Sequence, residues 1–165
     1  MRFSTPKEYG EYAKSLFMQG YNCSQAVICA FSDFTGIDDE LAMKISSPFG
    51  GGMGRLREVC GAVSGMFMVL GLLEGYSDVE NVALKTELYT KVQALAGTFE
   101  DRNGSYICRE LLGLNTKKES PVAAPRTKEY YETRPCPNKV ASAAEILAEY
   151  LLSNSTNTTN TTKRN

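Results

Sequence analysis

An all-α fold, a compact bundle of about seven helices, is predicted by three observations. Capping residues precede apolar stripes of helical period, and glycine or proline follows where each stripe stops. No stretch alternates apolar and polar residues long enough to make a strand. The helical part is expected over 1–152 as one domain, and 153–165, which is almost all Ser, Thr and Asn, as a disordered polar tail.

Thr5-Pro6-Lys7-Glu8 joins an N-cap Thr, a proline at the first helical position and a Glu three residues on. It predicts a first helix with Tyr9, Tyr12, Ala13, Leu16 and Phe17 on one face, ending at Gly20. Asn22 with Gln25 forms a second box, so Cys23 begins a second helix and Cys29 lies off its main stripe. Asp38 caps a short third helix that stops before Pro48. A fourth, read as the central helix, is expected from near Glu58 through Cys60 to Leu73, and Gly61 and Gly65 leave a groove on it for another helix backbone.

Ser77-Asp78-Val79-Glu80 reads as a third box opening a long helix to about Asp101. Its apolar positions include Val82, Leu84, Leu88, Leu95 and Phe99. Ser105 is expected to cap a short helix carrying Cys108 and closed by Gly113. The stretch from Leu114 to Pro135 reads as an irregular crossing long enough to serve as a lid. Cys136 then stands as N-cap of a last helix, with Pro137 at its first position.

Composition narrows the chemistry. Eighteen basic residues balance nineteen acidic ones and no basic block lies in the body of the chain, so nucleic acid is not an expected partner. The longest uncharged run, Val59 to Leu73, is too short to span a bilayer. The first residues carry no apolar signal segment, from which a reducing, cytoplasmic location is expected. Five cysteines and no histidine exclude a Cys-His dyad, a Ser-His-Asp triad and any His-bearing zinc site.

Four cysteines, Cys23, Cys60, Cys108 and Cys136, fall where a helix is expected to begin. Unpaired amides and the positive end of the helix dipole bias a sulfur there towards thiolate. There is no Cys-x-x-Cys, so a site must be assembled by the fold. The Gly50-Gly51-Gly52-Met53-Gly54 loop fits neither a dinucleotide fingerprint nor a P-loop. Its glycines call for positive φ or a close approach, and it is expected to bring Arg55 and Arg57 towards Cys60.

Taken in order, Gly20-Tyr21-Asn22-Cys23-Ser24-Gln25-Ala26-Val27, Phe49 to Arg55, Glu58-Val59-Cys60-Gly61-Ala62-Val63-Ser64-Gly65, Cys108-Arg109-Glu110-Leu111-Leu112-Gly113 and Cys136 resemble the C_GCAxxG_C_C family of putative redox-active proteins. The resemblance spans about Pro6 to Leu152. It implies that Cys23, Cys60, Cys108 and Cys136 are signature residues, and implies a frequent association with transporter genes in prokaryotes. Cys29 lies outside that signature.

The expected function is therefore redox chemistry by four gathered thiols, as a thiol–disulfide oxidoreductase whose partner is a redox protein or a small thiol. Cys60 is the expected attacking thiol, Cys23 the resolver, and Cys108 and Cys136 a second pair or relay. One alternative is a metal-binding protein whose four cysteines ligate an iron–sulfur cluster or zinc. Another is a transporter accessory protein that docks through the Gly61/Gly65 groove and whose cysteines only pack.

Overall fold

The structure, a computed structural model, describes the backbone of residues 1–161 and the side chains of residues 1–154. Among the described residues the fold is all-α, with no strand and one isolated antiparallel bridge between Val59 and Ile107. Helix α1 (Pro6–Met18) begins at the expected box: Thr5 caps Glu8, and the Glu8 carboxylate accepts from the Thr5 amide at 2.9 Å. Helix α2 (Cys23–Ala30) begins at the second box, where Asn22 Oδ1 accepts from the Ser24 and Gln25 amides and Gln25 Oε1 accepts from the Asn22 amide.

Helix α2 ends at Phe31, and a single turn, α3 (Ser32–Thr35), follows, closed by Gly36 at φ 65°. Helix α4 (Asp39–Ser46) is capped by Asp38 and gives way before Pro48 to a 3-10 turn, Ser47–Phe49. The glycine loop forms α5 (Gly50–Met53), a turn broken by Gly51 and Gly52 at φ 67°.

Helix α6 (Gly61–Glu74) starts later than expected. Residues 58 to 60 instead run beside 106 to 108, with the Cys60 amide donating to Tyr106 O at 2.9 Å and the Cys108 amide to Glu58 O at 2.6 Å. Helix α7 (Val82–Asn103) likewise starts later than its expected box, because Asn81 supplies the cap, accepting from the Leu84 amide at 3.1 Å. Its C-terminal half goes deepest: Leu95 and Phe99 are buried and Leu88 and Val92 pack half-buried against the core, whereas Val82 and Leu84 are exposed. Helix α8 (Cys108–Leu111) is the expected short helix, but Ser105 does not cap it: Ile107 is the N-cap without a side-chain bond, and Ser105 Oγ accepts from the Ile107 amide at 2.9 Å. Helix α9 (Lys128–Thr133) is a turn inside the crossing read as irregular.

Helix α10 (Cys136–Thr161) begins on Cys136 itself, one residue ahead of the expected start, and its backbone continues past Leu152. The disordered-tail expectation otherwise falls outside the described residues: on side chains from 155 onward and on all of 162–165.

The core explains the arrangement. Tyr9, Ala13, Leu16 and Phe17 of α1 and Val140, Ala143, Ala144 and Leu147 of α10 are all buried. The alanines let the two axes approach closely, and each large side chain buried contributes about 1.5–3 kcal/mol. Helix α2 packs against α1, α4, α6 and α10 and so shares the centre with α6. That placement buries Cys29, which the stripe alone had left outside.

The groove on α6 is filled from within the chain. A Cβ on Gly65 would stand 2.7 Å from Ser24 O, and one on Gly61 would stand 2.4 Å from Cys23 Sγ. Because α2 occupies this groove, it offers no seat for a transporter, and that docking expectation is corrected.

Candidate functional site: four thiols around one cavity

The four cysteines come together. Cys23, Cys60, Cys108 and Cys136 all line one cavity of about 50 Å³, enough for a few water molecules. Cys60 is the N-cap of α6, and the other three are the first residues of α2, α8 and α10. All five cysteines of the chain are free thiols.

Local sequence sets each placement. The Asn22 box orients Cys23, and Gly61 lets its sulfur sit on the first turn of α6, beside Cys60. The Val59–Ile107 bridge then draws Cys60 and Cys108 to one wall. Gly52 completes that wall, since a Cβ there would lie 2.5 Å from the Cys108 Cβ.

Cys23 is the common electrostatic neighbour. The Cys60 thiol is pushed well above its ordinary value by burial first and by Cys23 second, while the Ala62 and Val63 amides oppose the rise without a formed cap hydrogen bond. Burial also pushes Cys136 up to about 11, again with Cys23 next in effect. Cys108 is raised by burial, with Arg57 pulling the other way and Cys23 adding to the rise. The expected thiolate bias at helix starts is thus overridden at these three sulfurs, because desolvation penalises the charged form more than the amides at Cys60, or Arg57 and Arg134 at Cys108 and Cys136, favour it.

The arginines differ from expectation in their target. Arg57, 2% exposed, donates from Nη1 to Cys108 Sγ at 3.7 Å and not to Cys60. It is held by Glu119, which pairs with its Nε and Nη2. Arg55 pairs with the same carboxylate at 3.6 Å and donates to Ser120 O at 2.6 Å. Glu119 is partly desolvated, which raises its value, yet Arg57 and Arg55 hold its carboxyl below the ordinary range.

Sequence reasoning named neither Glu119 nor the residues of the cavity mouth. Arg126, Tyr130, Arg134 and Lys139 line the cavity with the cysteines. The Arg126 and Arg134 guanidiniums lie over the Tyr130 ring at 4.7 and 4.6 Å. Two aromatics between two arginines, Arg126-Thr127-Lys128-Glu129-Tyr130-Tyr131-Glu132-Thr133-Arg134, were the available signal.

Among the described residues, no group of three or more Cys, Asp or Glu side chains is placed to hold a metal ion. No helix among them is long and apolar enough to cross a membrane.

An all-helical protein whose thiols meet at helix starts around one cavity is the class that fold and site define. The chain belongs to the C_GCAxxG_C_C family, described as putative redox-active proteins, which it matches over residues 21–150. Neither curated proteins nor solved structures give a match.

Proposed function

We propose that this protein carries out thiol–disulfide exchange, with Cys23 attacking and Cys60 resolving. The observation that carries the reading is the convergence of all four signature thiols on one cavity. Cys23 is half-buried whereas Cys60 is buried and its thiol strongly raised, which reverses the roles expected of the pair from sequence.

The Cys23 thiolate attacks one sulfur of an incoming disulfide, forming a mixed disulfide and releasing the other half as a thiolate that takes up a proton. Cys60, losing its proton to solvent, attacks the Cys23 sulfur, closes a Cys23–Cys60 disulfide and releases the second half as a thiol. Two protein thiols are oxidised and one disulfide is reduced to two thiols. Cys108, beside Arg57, and Cys136 form the second pair, able to pass electrons to the first. A reducing cytoplasm supplies thiols to reset the centre.

The test is stoichiometric oxidation of anaerobically purified protein by a small disulfide. The thiol count should fall by two, then by four, with Cys23–Cys60 as the first linkage found by peptide mass spectrometry. Bound iron or zinc with a visible charge-transfer band, or thiols that never oxidise, would overturn the reading.

A further inference from the structure

The thiol cavity opens beside a second groove of about 240 Å³, lined by Asn22, Arg55, Arg57, Arg126, Tyr130 and Arg134 among others. Four arginines face this groove, and no Asp or Glu lines either it or the thiol cavity. Glu119, the nearby acid, is engaged by Arg55 and Arg57. Among the described residues neither Arg126 nor Arg134 has a carboxylate within ion-pair distance. The Glu119 charge reaches Arg134 only at longer range.

Both guanidiniums are nevertheless held in place. Tyr130 lies against each, Phe17 lies 4.7 Å from Arg126, and Arg126 Nη2 donates to Tyr21 O at 3.4 Å. Stacking leaves the planar edge of Arg134, and the part of the Arg126 edge not turned to Tyr21 O, available to bind an anion. A groove this small suits a low-molecular-weight ligand better than a protein surface.

We infer that the substrate is an anionic low-molecular-weight disulfide, whose carboxylate or phosphate groups Arg126 and Arg134 bind while its sulfurs enter the cavity at Cys23. The inference rests on the exchange reading. Arg126 and Arg134 are positioning residues: the guanidiniums hold the charged ends, Cys23 bonds to one half of the disulfide, and the other half leaves as an anionic thiol.

The test compares single-turnover oxidation of the wild type and of R126Q/R134Q by four probes: glutathione disulfide (carboxylates), coenzyme A disulfide (phosphates), neutral hydroxyethyl disulfide and cationic cystamine. In the wild type, an anionic probe should outpace cystamine by at least tenfold after correction for intrinsic reactivity. The double variant should lose about tenfold with that probe and change less than twofold with hydroxyethyl disulfide. Which anionic probe wins tells carboxylate from phosphate.

Binding of unreactive S-methylglutathione, or of desulfo-coenzyme A, measured calorimetrically, should weaken by the same factor in the variant and in 0.5 M salt. Equal rates for anionic and cationic probes, or no binding of either analogue, would overturn the inference and leave exchange standing. Failure of every disulfide to react would sink the exchange reading instead. Should the variant not fold, the salt series on the wild type decides alone: no selective loss with the anionic probes counts against the inference.

Discussion

The Arg57 guanidinium donates to Cys108 Sγ at 3.7 Å while Glu119 grips its far edge. A cation so buried and so close favours the thiolate at Cys108 against the burial that disfavours it. Replacing it should remove the main opposition to burial and leave only the weaker pull of Arg134. In Arg57→Met, Cys108 alkylation at pH 8 should slow by about 3- to 10-fold, because less of the thiol is ionised while the thiolate that remains is somewhat more nucleophilic. Iodoacetamide labelling read by mass spectrometry checks this, and an unchanged rate would mean that the contact has no electrostatic effect.

Glu119→Gln tests the other side of the clamp. It leaves Arg57, 2% exposed, without its carboxylate, whereas Glu119 itself is 30% exposed and loses less by being alone. Breaking a fully buried pair costs about 3–5 kcal/mol, and the solvent around Glu119 reduces that to about 1–3 kcal/mol here. Urea unfolding should show this loss, and Arg55→Gln, whose pair is longer and more exposed, should cost less.

The glycines of α6 are steric requirements of the site. Gly61→Ala would set a methyl 2.4 Å from Cys23 Sγ and 2.7 Å from Phe49 O, and Gly65→Ala would set one 2.7 Å from Ser24 O. Each should destabilise the fold by about 1–3 kcal/mol through overpacking, despite alanine's better helix propensity. Gly71→Ala, with open space around its Cβ, should be neutral or stabilising. A series of melting curves separates the three.

How much of this was legible in the sequence depended on range. The Thr5, Asn22 and Asp38 caps are read within four residues, so helices α1, α2 and α4 and the placement of Cys23 were available directly. The late start of α6 was not, because the Val59–Ile107 bridge that ties the residues before Gly61 to another segment joins positions 48 apart in sequence. The same bridge sends Arg57 to Cys108. Glu119 was hidden for a similar reason: its role comes from a contact 62 residues distant. Gly61 and Gly65 announced a close helix crossing but could not say that α2 would make it.

Burial of neutral thiols also links stability to pH. Burial, with Asp39 adding to it, pushes Cys29 up to about 11 from an ordinary 9.0, and Cys136 reaches about 11 mainly through burial. Between those values the folded state holds the proton that the unfolded chain has released, so unfolding free energy falls as pH rises. The contribution is complete below about pH 9 and is lost on approach to pH 11, amounting to about 1–3 kcal/mol per thiol. Cys29→Ala should therefore show a shallower alkaline decline than the wild type in urea titrations at pH 8 to 10.5. Parallel declines would show that the Cys29 proton is not retained by folding.

Cys23 offers the sharpest check that the thiols form one electrostatic unit. Its charge raises the values of Cys60, Cys108 and Cys136, three residues on three other elements. Removing one sulfur should then alter three distant ones. In Cys23→Ser the alkylation pH profiles of Cys60, Cys108 and Cys136 should all shift to lower pH, while that of Cys29, whose rise comes from burial and Asp39, should stay in place. Residue-resolved labelling with isotopically coded iodoacetamide across pH 7 to 11 measures all four in one sample. Shifts confined to a single cysteine would mean that the thiols share a cavity without sensing one another, and an exchange relay through Cys23 would lose its physical basis.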